Sequence, residues 1–286
     1  MKRTGLRLSE RVIEEFMETD KNQDDMRTAI METVDVILLT KNSDRVLREC
    51  LASVYENVPI ERLIVVDAFS TDNTLKILGE FNAKYGNVKI IAKAGTRGVA
   101  RERGIREVRT GWFVFVDSDI VLCRDWFRKA RRLVNSRVGA VWGVDVPGDV
   151  ENSLLVSVLK RMEARVFDIR GGCHDILVRY DSVKDIKIPS QLHTLEDAYI
   201  REWITGRGYD VIVSYEAWCR HYKTASGLFS RENASSTILE LKNTRLMRER
   251  LIYAAIFAFI WFLQGAKSGG KKGIDRGQNN GANYAR

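Results

Sequence analysis

The sequence is sparing with the residues that staple or segment a chain. Its four cysteines, Cys50, Cys123, Cys173 and Cys219, show no CxxC and no zinc-like spacing, so neither a disulfide framework nor a structural metal site is indicated. They read as reduced thiols of a cytoplasmic protein. Three prolines, Pro59, Pro147 and Pro189, are too few to mark a linker, and no internal repeat is visible. The opening residues MKRTGLRLSERVIEEF are basic but lack the apolar core of a secretory signal; residues 6–18 suggest a short amphipathic helix. Acids are scarce at the other end, where residues 241–286 carry nine bases and two acids, so that this tail holds +7 of the net +8. A nearly neutral body argues against nucleic acid, which calls for a basic stripe over the folded part.

What remains is a chain of 286 residues, 45% hydrophobic, enough for one large domain with appendages. VDVILL at 34–39 reads as a strand, followed by apolar residues at helical spacing: Val46, Leu47, Cys50, Leu51 and Val54. The plan repeats with a strand at 62–66 and a helix starting near Thr71 or Asp72, both good caps. A strand at 88–92, a loop and helix within 95–109 and a strand at 112–116 complete the alternation. Such βαβ units imply a mainly parallel sheet. The second half is less regular: a helix over about 151–167, a loop into a strand before Tyr180, a helix ended by Gly206 or Gly208, and a strand at VIVSYEAWC.

Ligands of parallel sheets bind beyond the carboxyl ends of the strands, and three polar clusters fall there: Thr40 to Asp44, Asp67 to Asp72, and Asp117 to Asp119. The third is the most telling. WFVFV reads as a buried strand, yet it ends in Asp117-Ser118-Asp119, and charge leaving a buried strand is costly unless compensated. An acidic surface turn is the plain explanation; a divalent cation is the sharper one. Residues i and i+2 of an extended segment point the same way, and hard cations prefer such oxygen ligands.

The pieces VDVILLTKN, CLASVYENV, IVVDAFSTDNT, GVARERGI, FVFVDSDIVL and LEDAYIREWITGRGYDV occur in an order and spacing that resemble the family 2 glycosyltransferases over roughly residues 33–225. The resemblance implies an α/β GT-A fold: a mainly parallel central sheet flanked by helices, with a Rossmann-like nucleotide-binding half and a C-terminal helical extension. It implies an inverting, metal-dependent hexosyltransferase that takes a UDP- or GDP-linked sugar and uses Mg²⁺ or Mn²⁺. Backbone around Thr40 and Lys41 would face the nucleotide base and Asp67 would hydrogen-bond it, with Asn42 in the same nucleotide-sugar site and Arg97 or Arg101 near the diphosphate. Asp117-Ser118-Asp119 matches the family's DxD, with Asp119 the direct metal ligand and Asp117 nearer the sugar or ribose while also counted in the metal set. His221 lies where relatives carry a histidine that helps hold metal or diphosphate. Glu196 and Asp197 match the acidic pair over the acceptor, with Asp197 the base and Glu196 its neighbour. His174 and His193 read as local polar residues, and Arg179 falls where the family often has an arginine near the acceptor. Ala68 departs from a frequent second aspartate, Glu102 from a frequent asparagine, and no QxxRW-type motif is present, which counts against a processive polymerase.

The implied organisation is an N-terminal helical extension at 1–32, the GT-A domain at 33–230, C-terminal helices at 231–266 and a basic tail at 267–286. LIYAAIFAFIWFL at 251–263 is apolar on every face. As a helix of about 20 Å it is short against a hydrocarbon core of about 30 Å. A packed helix, a subunit contact in a homo-oligomer, and insertion into one leaflet are the choices. Its basic fringe favours peripheral contact through 248–272 with the inner face of the cell membrane, which would bring a lipid-linked or glycan acceptor within reach. A sugar-nucleotide nucleotidyltransferase is the enzymatic alternative, but LLTKNSDRVL lacks the glycine-rich loop it requires. The other alternative is a non-catalytic, membrane-docked nucleotide-sugar-binding protein.

Overall fold

Val34, Val36, Ile37, Leu38 and Leu39 crowd five apolar residues into seven and need two covered faces, which β1 (Val34–Thr40) receives inside an eight-stranded sheet. The computed structural model describes residues 32–148, 153–170, 174–190, 192 and 196–222. The chain divides into two compact units, Met1–Ser236 and Thr237–Arg286, and the described residues all lie in the first. The amphipathic segment at 6–18, residues 1–31 of the N-terminal extension, the C-terminal helices, the tail, the 251–263 run and its fringe, Cys173 and His193 lie outside the described residues. Among the described residues no helix is long and apolar enough to cross a membrane.

After β1 the chain runs through α1 (Asp44–Asn57), β2 (Ile60–Asp67), α2 (Thr74–Tyr85), β3 (Val88–Ala92), α3 (Arg97–Ile105) and β4 (Trp112–Asp117). The strands lie parallel in the order β3-β2-β1-β4, so the chain steps outward twice and then returns beyond β1. That reversal leaves a crevice at the carboxyl ends of β1 and β4, where such sheets bind ligands. Alternation along β1 sends Val34, Val36 and Leu38 into one core with α1, while Ile37 joins the opposite core with Ile105 of α3. All five apolar positions read into α1 are buried. Helix α2 begins at Thr74, later than Thr71 or Asp72, because Asp72 uses its carboxylate in the preceding turn, accepting from the Thr74 and Asp44 amides at 3.0 and 3.2 Å.

The second half closes the sheet. It comprises β5 (Ile120–Leu122), α4 (Trp126–Arg131), β6 (Val138–Pro147), α5 (Ser153–Arg170), β7 (Asp175–Arg179), α6 (Tyr180–Val183), α7 (Glu196–Gly206) and β8 (Asp210–His221). Strand β7 pairs antiparallel with β4 and β6, β8 runs parallel to β6, and β5 pairs antiparallel with the end of β8. Strand β6 has no counterpart in the sequence reading. Its glycines look like breakers, yet at Gly143 a side chain would overlap the Asp175 carboxylate of β7. The glycine there serves close approach within the sheet.

Candidate functional site

The loops after β1 and β2 are bound to each other almost atom for atom. The Asn42 amide donates to Ser70 Oγ and the Thr71 amide to Asn42 Oδ1, both at 2.8 Å. The Ser43 amide donates to Thr74 Oγ1 at 2.8 Å, and the Asn73 amide to Asp44 Oδ2 at 3.3 Å. Asp67 stands behind this lock, 2% exposed. Its Oδ1 accepts from the hydroxyls of Thr40 and Ser70 at 2.8 and 2.6 Å, and its Oδ2 from the Ser70 amide at 2.8 Å. Ser118 reaches the same cluster through a 2.8 Å bond to Ser43 Oγ. The residues expected at the nucleotide are thus drawn to one edge, with Lys41 and Asn42 exposed on it and Asp67 holding the turn beneath.

Arg101 is 1% exposed and sits at the centre of the edge. Its Nη2 lies 3.0 Å from Asp117 Oδ1 and its Nε 3.2 Å from Glu196 Oε1, with the guanidinium 5.0 Å from the Phe115 ring centroid. Arg101 therefore faces two carboxylates, while Arg97 occupies the first position of α3. Burial pushes the Asp117 carboxyl up, but Arg101, with His174, Arg97 and His221 behind it, outweighs that and holds it below the usual carboxylate range. The opposite balance holds at Glu196, where burial, joined by the charge of Asp197, prevails over Arg101 and raises the carboxyl. Asp197 accepts from the Ala198 amide at 2.9 Å.

Strand register brings the remaining groups together. Ile120 lies opposite His221, and the Tyr222 amide donates to the Asp119 carbonyl at 2.9 Å. Asp119 Oδ1 consequently stands 3.2 Å from His221 Nε2. The other imidazole nitrogen, Nδ1, is 2.9 Å from Asp145 Oδ2. His174 packs on the same ring at 4.6 Å between centroids, its Nδ1 3.9 Å from Asp145 Oδ1. Asp145, His174 and His221 each offer one ligand atom within 4.8 Å of the others. Behind them Asp175 accepts from Trp126 Nε1 at 2.7 Å, and burial pushes its carboxyl well above the ordinary aspartate range. A carboxylate oxygen beside an imidazole whose far nitrogen is held by a second carboxylate is a donor set that fits a divalent cation.

The sequence reading missed Asp145 and treated His174 as a local polar residue. The signal for Asp145 was available: it is a carboxylate inside the apolar run VGAVWGVDVP, the same anomaly that drew attention to Asp117. Arg179, expected near the acceptor, pairs across the sheet with Trp112 at the start of β4, the opposite edge from Asp117. There it donates to the carbonyls of Val138 and Asn135 at 2.8 and 2.7 Å.

Residues 35–168 match the model of the family described as Glycosyl transferase family 2. The matched stretch, a little under half of the chain, is similar to that family. Among curated proteins it is 35% identical over 92 residues to the poly(ribitol-phosphate) beta-glucosyltransferase of Bacillus spizizenii, covering 30% of this chain and 14% of that one. The chain therefore spans a small part of that relative's length. Among solved structures the domain superposes on the mannosyltransferase PcManGT of Pyrobaculum calidifontis in complex with GDP-Man and Mn²⁺ with a TM-score of 0.55. That match is 19% identical and covers 78% of this chain and 64% of the other. It superposes on residues 1–349 of S. aureus TarS in complex with UDP-GlcNAc with a TM-score of 0.54, at 19% identity, covering 79% and 71%. The domain's architecture is the GT-A fold of these structures, a curled mixed sheet flanked by helices.

Proposed function

We propose that the protein transfers a hexose from a UDP- or GDP-linked donor to an acceptor hydroxyl, with inversion and with help from a divalent cation. The observation that carries this reading is the meeting of Asp119, His221 and Asp145 at the same sheet edge as the Asp67 turn and the Arg101 bridge. Asp119 and His221 would hold the cation, with Asp145 keeping the His221 proton on Nδ1 so that Nε2 presents its lone pair. An imidazole in the set favours a transition ion such as Mn²⁺ over Mg²⁺. When bound, the cation neutralises charge on the departing diphosphate. Lys41 and Arg97 supply further positive charge at that edge. Asp117, kept ionised by Arg101, accepts hydrogen bonds from the donor's sugar or ribose.

Asp197 takes the proton of the attacking acceptor hydroxyl. This division of labour is supported by the tie of Glu196 to Arg101, whereas Asp197 has no salt bridge among the described residues. The acceptor class, a glycan or a lipid-linked compound, rests on the apolar and basic tail.

The deciding experiment is calorimetric titration of the purified protein with UDP and GDP, with and without Mn²⁺, for the wild type, Asp119→Ala and Asp197→Asn. The expected result is Mn²⁺-dependent binding of one nucleotide, lost in Asp119→Ala and kept in Asp197→Asn, with donor turnover abolished in both. A folded wild-type protein that binds neither nucleotide overturns the proposal. Unimpaired turnover by Asp197→Asn removes that residue as the base.

A further inference from the structure

Three non-glycine residues among those described have a positive φ: Asn42 at 49°, Phe69 at 58° and Asp125 at 61°. Asparagine and aspartate tolerate this left-handed region; a bulky aromatic does not, and is held there at a cost of about 1 kcal/mol or more. Burial does not offset the cost, because Phe69 is 62% exposed. The strain is imposed from both sides. Asp67 ends β2 two residues earlier, and Ser70, one residue later, gives both its amide and its hydroxyl to the Asp67 carboxylate. The Asn42 amide then fixes Ser70 from the neighbouring loop. The turn is pinned, and it presents a phenyl ring to solvent at the sheet edge.

Phe69 is also the only aromatic residue in the connections that follow β1, β2, β3 and the DSD motif at the end of β4, where the other side chains are small, polar or charged. Those groups suit phosphate, sugar hydroxyls and cation. None offers a face to a planar heterocycle. Asp67, the group expected to recognise the base, is buried and already accepts three hydrogen bonds, which leaves about one of its four lone-pair directions for a ligand.

We infer that Phe69 is a further binding residue of the donor site: its strained, exposed ring is the platform on which the nucleotide base stacks. The inference rests on the nucleotide-sugar reading above. The stacking contact recovers the backbone strain only when the base is bound, so the residue is unfavourable for the empty protein and favourable for the complex.

The test compares UDP, GDP and inorganic pyrophosphate, each titrated in Mn²⁺ against the wild type, Phe69→Gly, Phe69→Asn and Phe69→Trp, with thermal unfolding of each protein. Glycine and asparagine both accept the left-handed conformation, so the pair separates loss of the ring from loosening of the turn. The expected result is a loss of about tenfold or more in nucleotide affinity for both variants. Pyrophosphate affinity stays unchanged, Phe69→Trp retains binding, and the unfolding midpoints of the Gly and Asn variants equal or exceed that of the wild type. Gly and Asn variants that bind UDP and GDP as the wild type does overturn the inference and leave the nucleotide reading standing. Equal losses for nucleotide and pyrophosphate also overturn it, since the residue would then shape the turn. A wild type that binds neither nucleotide overturns both.

Discussion

Burial acts differently on two acids that share one arginine. Asp117 remains below the ordinary carboxylate range because positive neighbours outweigh desolvation, whereas at Glu196 burial, helped by Asp197, wins over Arg101. A raised carboxyl means that the folded protein binds this proton more tightly than the unfolded chain does. Its contribution to stability is therefore complete below the ordinary glutamate value of 4.5 and declines as pH rises through the folded value. Glu196→Gln removes that decline. The difference in unfolding midpoint between variant and wild type should shift in favour of the variant as pH is raised from 4 to 8, measured by scanning calorimetry; a constant difference contradicts the assignment. At this scale the sequence exposed charges wherever they interrupt an apolar strand, as at Asp117. It could not expose partnerships made by register. Asp145 meets His221 across 76 residues, and His174 joins them only because β7 pairs antiparallel with β4.

Helix α3 carries Arg101 into the edge, and its own position depends on a glycine. A Cβ on Gly104 would lie 2.5 Å from Ile37 Cγ2 of β1, the strand that the helix covers. Gly104→Ala improves helix propensity by up to about 1 kcal/mol, but overpacking against a buried strand costs about 1–3 kcal/mol. The expected outcome is a lower urea midpoint with an unchanged slope, together with weaker Mn²⁺-dependent nucleotide binding as Arg101 shifts. Elements of the first half were legible because near-continuous apolar runs of strand length and helical apolar patterns follow one another without interruption. The start of α2 was misplaced because Thr71 and Asp72 resemble caps while their polar atoms serve the neighbouring loop. Strand β6 escaped because glycine, read locally, signals a break, whereas here it lets two backbones approach.

For the molecule as a whole, one of the two cores on the faces of the sheet encloses every described cysteine. Cys50, Cys123 and Cys219 are buried and unpaired, and burial pushes all three thiols up. A neutral thiol sealed from solvent reacts slowly. Brief treatment of the native protein with a thiol reagent, followed by peptide mass mapping, should therefore leave these three unmodified, and denaturant should expose all of them together. Labelling of one in the native state would reveal local opening of its core. The fold itself was readable at this scale, since alternating strands and helices admit few arrangements. The closing strand was not, because β8 pairs with both β6 and β5 and no local pattern announces two partners.

That strand gives the site an order of assembly. The turn around Asp67, the lock between the first two loops and the DSD motif all lie within residues 40–119. His221, by contrast, reaches Asp119 only from the far end of β8. Contacts so distant along the chain are slow to form, and a nascent chain emerges from its amino end. The interlocked loops within residues 40–119 can take shape early in synthesis, but Asp119 meets His221 only after β8 has been made. A fragment that ends before β8 carries Asp117 and Asp119 without the histidine that Asp119 meets in the folded domain.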